Sequence, residues 1–169
     1  MFLPTKYLGP VLLNFRAFPI RINSNKYIGL DGKHLTWAEV EAGVPHTVFN
    51  GNSGGWYDDQ HEISWDELTK NSGSPKKIIE VTSVTKLPRR VATFSVDNVM
   101  EALKYNNTGH EMYVSINFMN YVDNAMSGMT DAGKLTEKAK EWLSENTSKF
   151  VDKVWLLGTG MNTEDMIVL

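Results

Sequence analysis

Residues Glu80–Arg90 read EVTSVTKLPRR. The stretch gathers the hydroxyls of Thr82, Ser83 and Thr85 with the cations Lys86, Arg89 and Arg90, and Pro88 stiffens the bend. Hydroxyls and fixed cations converging on one loop suit a small, doubly charged anion. The carboxylates of an amino acid and the phosphates of a nucleotide both qualify. The same composition also describes a solvated turn between two strands. His34, His46 and His61 invite a metal reading, but they lack helical or hairpin ligand spacing, so no metal site is expected from them. The Asp58-Asp59 pair reads as a solvated turn rather than an acid/base dyad.

The elements around the loop follow from period and punctuation. Pro10–Ile22, with VLLNFRAFPIRI, reads as one or two strands carrying Arg16 and Arg21. Asn23–Gly32 is a polar loop. Thr36-Trp-Ala-Glu39 and Ser64-Trp-Asp-Glu67 are capping boxes, the first opening a helix through about Ala42. Phe49–Asp59 is a glycine-rich connection with an aromatic pair. Lys76–Val84 is expected to be a strand running into the cationic loop, and Val91–Phe94 the returning strand. Ser95 caps a helix whose Val96, Val99, Met100 and Leu103 share one face, and Asn106 to Gly109 supply its stop. Glu111–Asn117 is a buried strand, and Thr136 opens a helix expected to reach about Val151. Val154–Leu157 and Ile167–Leu169 are further strands. Strand and helix alternate through this second half, so the fold class is α/β, a largely parallel sheet with flanking helices.

The 169 residues suit one domain with a sizeable core. Apolar content of 41% and charged content of 22% are ordinary for a globular chain. A net charge of −3 gives no electrostatic case for binding nucleic acid or a membrane. Cysteine is absent, which excludes disulfides and thiolate metal sites. No stretch of eighteen apolar residues occurs, and the first residues do not read as a signal peptide.

Taken together, these stretches resemble the C-terminal half of adenylosuccinate synthetase. That family carries an aspartate-binding loop of the form T-T-G-R-x-R-R, and Val84-Thr85-Lys86-Leu87-Pro88-Arg89-Arg90 stands in its place, followed by VATFSVDNVMEAL. FRAFPIR at Phe15–Arg21, EISWDEL at Glu62–Leu68 and the terminal LLGTGMNTEDMIVL follow the family's order. The resemblance implies that Ser83, Val84, Thr85, Lys86 and Arg89 hold aspartate, with Arg89 also reaching toward the triphosphate. Leu87 replaces an Arg that contacts ribose, so that contact passes to Lys86 or Arg90 or is lost. Arg21 lies where the family approaches the purine nucleotide; the other reading pairs it with a carboxylate at a sheet edge.

Asn117-Phe118-Met119-Asn120 stands where the family has T-K-x-D, whose Asp accepts two guanine N–H bonds. An Asn amide offers one donor and one acceptor, which matches an adenine edge, and Phe118 suits stacking on a base. The substitution points to ATP in place of GTP, as in the branch of phage 2-aminoadenylosuccinate synthases. Without the resemblance, the same residues simply end a core strand. Gly158-Thr159-Gly160 aligns with the family's turn over the base; read alone, it is a tight turn.

The resemblance further implies a ligase of purine biosynthesis in the cytoplasm, host cytoplasm if phage-encoded. It would join aspartate to C6 of IMP or dGMP with ATP or GTP and Mg2+. The family's phosphate loop, catalytic groups and metal site lie in an N-terminal half whose G-D-E-G-K-G-K motif does not occur in this chain. The expectations are therefore a single C-terminal unit over 1–169, an N-terminal half polypeptide as partner, a homo-oligomer, and little activity alone. The alternative is a non-catalytic nucleotide-binding remnant.

Overall fold

The computed structural model describes residues 9–21, 25–49, 55–84, 86–107 and 109–169. Val11–Arg16 (β1) alternates, sending Val11, Leu13 and Phe15 toward the core, while Asn14 is exposed. It is followed by Ile20–Arg21 (β2), Lys26–Gly29 (β3), the helix Trp37–Glu41 (α1), His46–Phe49 (β4) and Glu62–Ile63 (β5). Next come the helix Trp65–Ser72 (α2), Arg90–Ala92 (β6), the helix Val96–Tyr105 (α3) and Met112–Asn117 (β7). Met119–Val122 (α4) is a single turn, Glu137–Thr147 (α5) a full helix, and Val154–Gly158 (β8) and Met166–Val168 (β9) close the chain.

The principal sheet has the order β1-β7-β8-β9, with the first three strands parallel and β9 antiparallel to β8. This is the expected α/β sheet. Two antiparallel sheets accompany it, β2-β6-β5 and β3-β4. Helices α3, α4 and α5 lay Val99, Leu103, Met119, Val122 and Ala139 against Val114, Ile116, Leu157 and Ile167, all fully or nearly buried. A smaller cluster forms where Trp65 and Leu68 of α2 meet Val91.

Helix starts match the sequence because caps are local chemistry. Thr36 and Glu39 form the reciprocal box, and the hydroxyls of Ser64, Ser95 and Thr136 each accept from the N–H three residues on. Asn23–Gly32 is not all loop, because Lys26–Gly29 pairs antiparallel with His46–Phe49. Lys76–Val84 is not a ladder strand: Val81 bridges only Pro88, and Ile78 N–H instead donates to Thr69 Oγ1 at 2.9 Å. The returning strand is Arg90–Ala92 rather than Val91–Phe94, since pairing to β2 and β5 ends there. Helix α5 stops at Thr147, short of Val151, where Thr147 and Asn146 turn their side chains back onto the carbonyls of Leu143 and Trp142.

Candidate functional site

The parallel register brings the C-terminal ends of β1, β7 and β8 side by side. Arg16 pairs with Asn117, and Ile116 with Leu157, one residue before Gly158. In open α/β sheets this edge is where ligands bind. Asn117 donates weakly to Phe15 O and Ser115 Oγ, both at 3.4 Å. Its Oδ1 lies over Gly158, where a Cβ would collide with it. The chain then turns through Phe118 in the left-handed region, φ 67°, a strained conformation for an aromatic residue. Met119 is buried, and Asn120 Oδ1 is a buried acceptor with no partner among the described residues.

Arg16 ties this edge to the cationic loop. Its guanidinium sits 3.6 Å over the Phe118 ring and forms an ion pair with Glu80. Tyr121 donates to the same Glu80 oxygen at 3.2 Å. Burial, with the Glu80 carboxylate beside it, pushes the Tyr121 hydroxyl up to about 12. Arg16 and Glu80 are mostly covered, at 25% and 22% exposure.

Glu80 also begins the loop. Its carbonyl accepts from Arg89 N at 2.8 Å, Thr82 N donates to Leu87 O at 2.9 Å, and Leu87 N donates to Thr82 Oγ1 at 3.1 Å. Ser83, Val84 and Lys86 stand exposed at the tip; Thr85 lies outside the described residues. Lys86 has φ 55°, the left-handed conformation that glycine adopts freely, and the family's loop carries Gly at this place. A cavity of about 260 Å³ opens beside the tip, lined by Lys26, Tyr27, His34, Val84, Lys86 and Leu87 among others.

Arg89 faces elsewhere. Its carbonyl accepts from Trp65 Nε1 at 2.7 Å, and it lines a separate cavity of about 270 Å³ with Trp37, Ser64 and Lys77. No ion pair to Arg89 is present among the described residues. Arg21 is cross-strand from Arg90, and both guanidiniums lie about 5 Å from the Trp56 ring, at 4.9 and 5.1 Å. Arg90 is paired with Glu62, which holds that carboxyl below its usual range. Arg21 Nε is buried without a partner, and no ion pair to Arg21 is present, among the described residues.

Thr159 is fully buried and spends its hydroxyl on Met129 O at 2.8 Å, and Gly160 is crowded by the Asp165 carboxylate. The structure therefore joins Asn117, Phe118 and Gly158 at the strand ends and links them through Arg16–Glu80 to the loop. Lys86 and Arg89 open on different cavities. No three His, Asp or Glu side chains converge as a metal site among the described residues.

Sequence reasoning gave Arg16, Glu80 and Tyr121 no role in the site and read Asp59 as part of a solvated turn. Asp59 accepts from Ser95 Oγ at 2.6 Å and from Asp97 N at 3.0 Å, fastening the connection before β5 to the start of α3. Burial by itself raises the Asp59 carboxyl, but the hydrogen bonds from Ser95 and from the Asp97 and Val96 amides outweigh it and hold it below the usual range. A depressed folded value stabilises above the unfolded one, near pH 4, and the gain is lost as pH falls through the folded value. Asp59→Ala should cost about 1 kcal/mol at neutral pH. In urea melts the difference from wild type should shrink on acidification, and a pH-independent difference would remove this carboxylate from the cap.

No protein-family model matches the chain. It is 32% identical over 121 residues to an N6-succino-2-amino-2'-deoxyadenylate synthase of Salmonella phage PMBT28, covering 72% of this chain and 26% of that protein. It is 38% identical over 123 residues to the synthase of the same name from Vibrio phage phiVC8, covering 63% and 33%. The chain is homologous to the C-terminal part of these phage synthases. The cyanophage S-2L succinoaminodeoxyadenylate synthetase, PurZ, solved with dGMP and with dATP as an energy donor, superposes with a TM-score of 0.50 at 25% identity. That match covers 91% of this chain and 31% of PurZ. The chain thus spans about a quarter to a third of the length of the synthases it matches.

Proposed function

We propose that this chain is the aspartate- and base-binding portion of a PurZ-like ligase that joins L-aspartate to C6 of a purine nucleotide, dGMP or IMP. The observation that carries the reading is the link from the loop to the strand ends. Arg16 and Glu80 fix the base of a cationic loop to an edge where Asn120 keeps a buried, unpartnered acceptor. A carboxylate ligand suits the tip hydroxyls and Lys86; Arg89, which opens on a different cavity, would clamp the same ligand only if the loop rearranges on binding. An amide at Asn120 accepts from an adenine amino group and cannot demand the donor pair of guanine. PurZ's use of dATP fits ATP or dATP as the donor here. Arg21, Phe118 and Gly158–Gly160 complete the nucleotide contacts in this reading.

Among the described residues no three His, Asp or Glu side chains gather into a metal site, and no Gly-rich phosphate loop occurs in the sequence. We assign the metal, the phosphates and the proton transfers to a complementary N-terminal half, so that residues 1–169 form one C-terminal unit of a cytoplasmic, homo-oligomeric enzyme. The missing phosphate loop equally favours a second reading, a non-catalytic nucleotide-binding remnant.

Calorimetry with ATP, GTP and aspartate, followed by assay with the complementary half, aspartate and dGMP or IMP, tests the proposal. Binding of ATP over GTP and turnover on complementation are expected; binding without turnover moves the assignment to the remnant, and no binding to either sinks both. In a complemented enzyme Arg89→Ala should raise the aspartate KM about 10- to 100-fold, since a hydrogen bond to a charged group is worth about 1.5–3 kcal/mol. An unchanged KM removes Arg89 from the aspartate site.

A further inference from the structure

A cavity of about 410 Å³ opens where α4 and α5 meet the end of α2. Phe18, Tyr121 and Trp142 give it aromatic walls, and Glu141 and Glu145 add carboxylates. Small-molecule sites are of this size, mostly apolar with a few placed polar groups. The walls are held from behind. Trp142 packs edge-on against Phe94 at 5.2 Å between ring centres, and the Tyr121 hydroxyl donates to Glu80 at 3.2 Å. The Lys138 ammonium donates to the carbonyl of Asn71, which ties α5 to α2 beside the cavity. A site with fixed walls loses little freedom when it is filled.

The charge of the cavity follows from one face of α5. Lys138, Glu141, Trp142 and Glu145 recur at i, i+3, i+4 and i+7, and all four line the cavity. Glu141 and Glu145 are like charges one turn apart, an arrangement that costs helix stability. Glu145 stands at the negative end of the helix dipole, and the last turn of α5 carries no basic residue. No ion pair to either carboxylate is present among the described residues. Lys138 is engaged by Asn71, and Lys140 pairs with Glu137. A solvated helix face would carry the same carboxylates, but it would not set them beside an aromatic-walled cavity.

We propose that this cavity binds a small organic amine, its apolar body against Phe18, Tyr121 and Trp142 and its ammonium held by Glu141 and Glu145. The ammonium meets the carboxylates through charge-assisted hydrogen bonds and the Trp142 ring through cation–π attraction. A divalent metal ion fits less well, because it needs a shell of about six oxygens and aromatic walls offer none. The carboxylates and phosphates that suit the cationic loop are repelled here, so the cavity takes a ligand of the opposite charge.

The test is a titration of this chain, followed by calorimetry and by the indole N–H signal of Trp142 in nitrogen-labelled protein. The probes are phenethylamine, phenethyl alcohol and hydrocinnamate, which share an apolar body and differ in charge. The amine should bind about tenfold tighter than the alcohol and shift the Trp142 signal, with hydrocinnamate the weakest of the three. Replacing both exposed carboxylates, Glu141→Gln with Glu145→Gln, should bring the amine down to the affinity of the alcohol. Glu137→Gln, on the same helix but outside the cavity, should leave the amine's affinity unchanged. No binding of the amine, or equal binding of amine and alcohol, overturns the proposal. Undiminished binding by the double variant, or an unmoved Trp142 signal, places the amine elsewhere and also overturns it. An equal loss in Glu137→Gln reduces the effect to net charge, with the same consequence.

Discussion

Glu80→Ala should lower the unfolding free energy by roughly 2–4 kcal/mol, the cost of removing one member of a mostly buried ion pair. Three things fail together. The Arg16 guanidinium stays against Phe118 with no counter-ion, Tyr121 loses its acceptor, and the carbonyl that holds Arg89 N loses its anchored side chain. Glu80→Gln keeps an acceptor for both partners and should recover about half of the loss. A second signal separates this network from general loosening. Tyr121 titrates at about 12, first through burial and then through Glu80, so the alanine variant should titrate lower by absorbance. A raised folded value means that the tyrosine's contribution is present below the unfolded value near pH 10 and lost as pH rises through about 12. A loss under 0.5 kcal/mol with an unmoved Tyr121 would show that the pair does not hold the loop.

Gly158→Val is expected to cost about 1–3 kcal/mol by overpacking and to disturb the nucleotide edge first. The added Cβ would meet Asn117 Oδ1 and lie 3.1 Å from its Cγ and 3.3 Å from its Cα. The amide can rotate away, but the Cα cannot retreat, because β7 is held by β1 on one side and β8 on the other. Gly55→Val meets nothing within 4 Å and should stay within about 0.5 kcal/mol. Equal melting of the two variants would mean that Asn117 does not depend on the absent side chain. A drop in ATP affinity confined to Gly158→Val would support the strand-end base site.

Much of the outline was legible because its causes are local. Four helix starts lie at hydroxyl caps, which act within three residues, and the apolar runs VLLNFR and MYVSIN marked two strands of the principal sheet. The cationic loop was legible as a composition and by resemblance, and its ends do close on one another. Lys76–Val84 misled because its apolar residues pack on α2 and Tyr121 without a neighbouring strand to pair with. Asp59 looked like a solvated turn because its partners lie 36 and 38 residues away.

By itself the sequence determined the α/β class, the capped helices, the loop's chemistry and the likeness to the synthases. Each of these rests on neighbours in the chain or on residue order. Tertiary structure decided which charges meet. Arg16 and Glu80 are 64 residues apart and join only because β1 ends beside the loop's base. Lys86 and Arg89 are three residues apart and open on different cavities because Pro88 and the Trp65 bond turn the backbone between them.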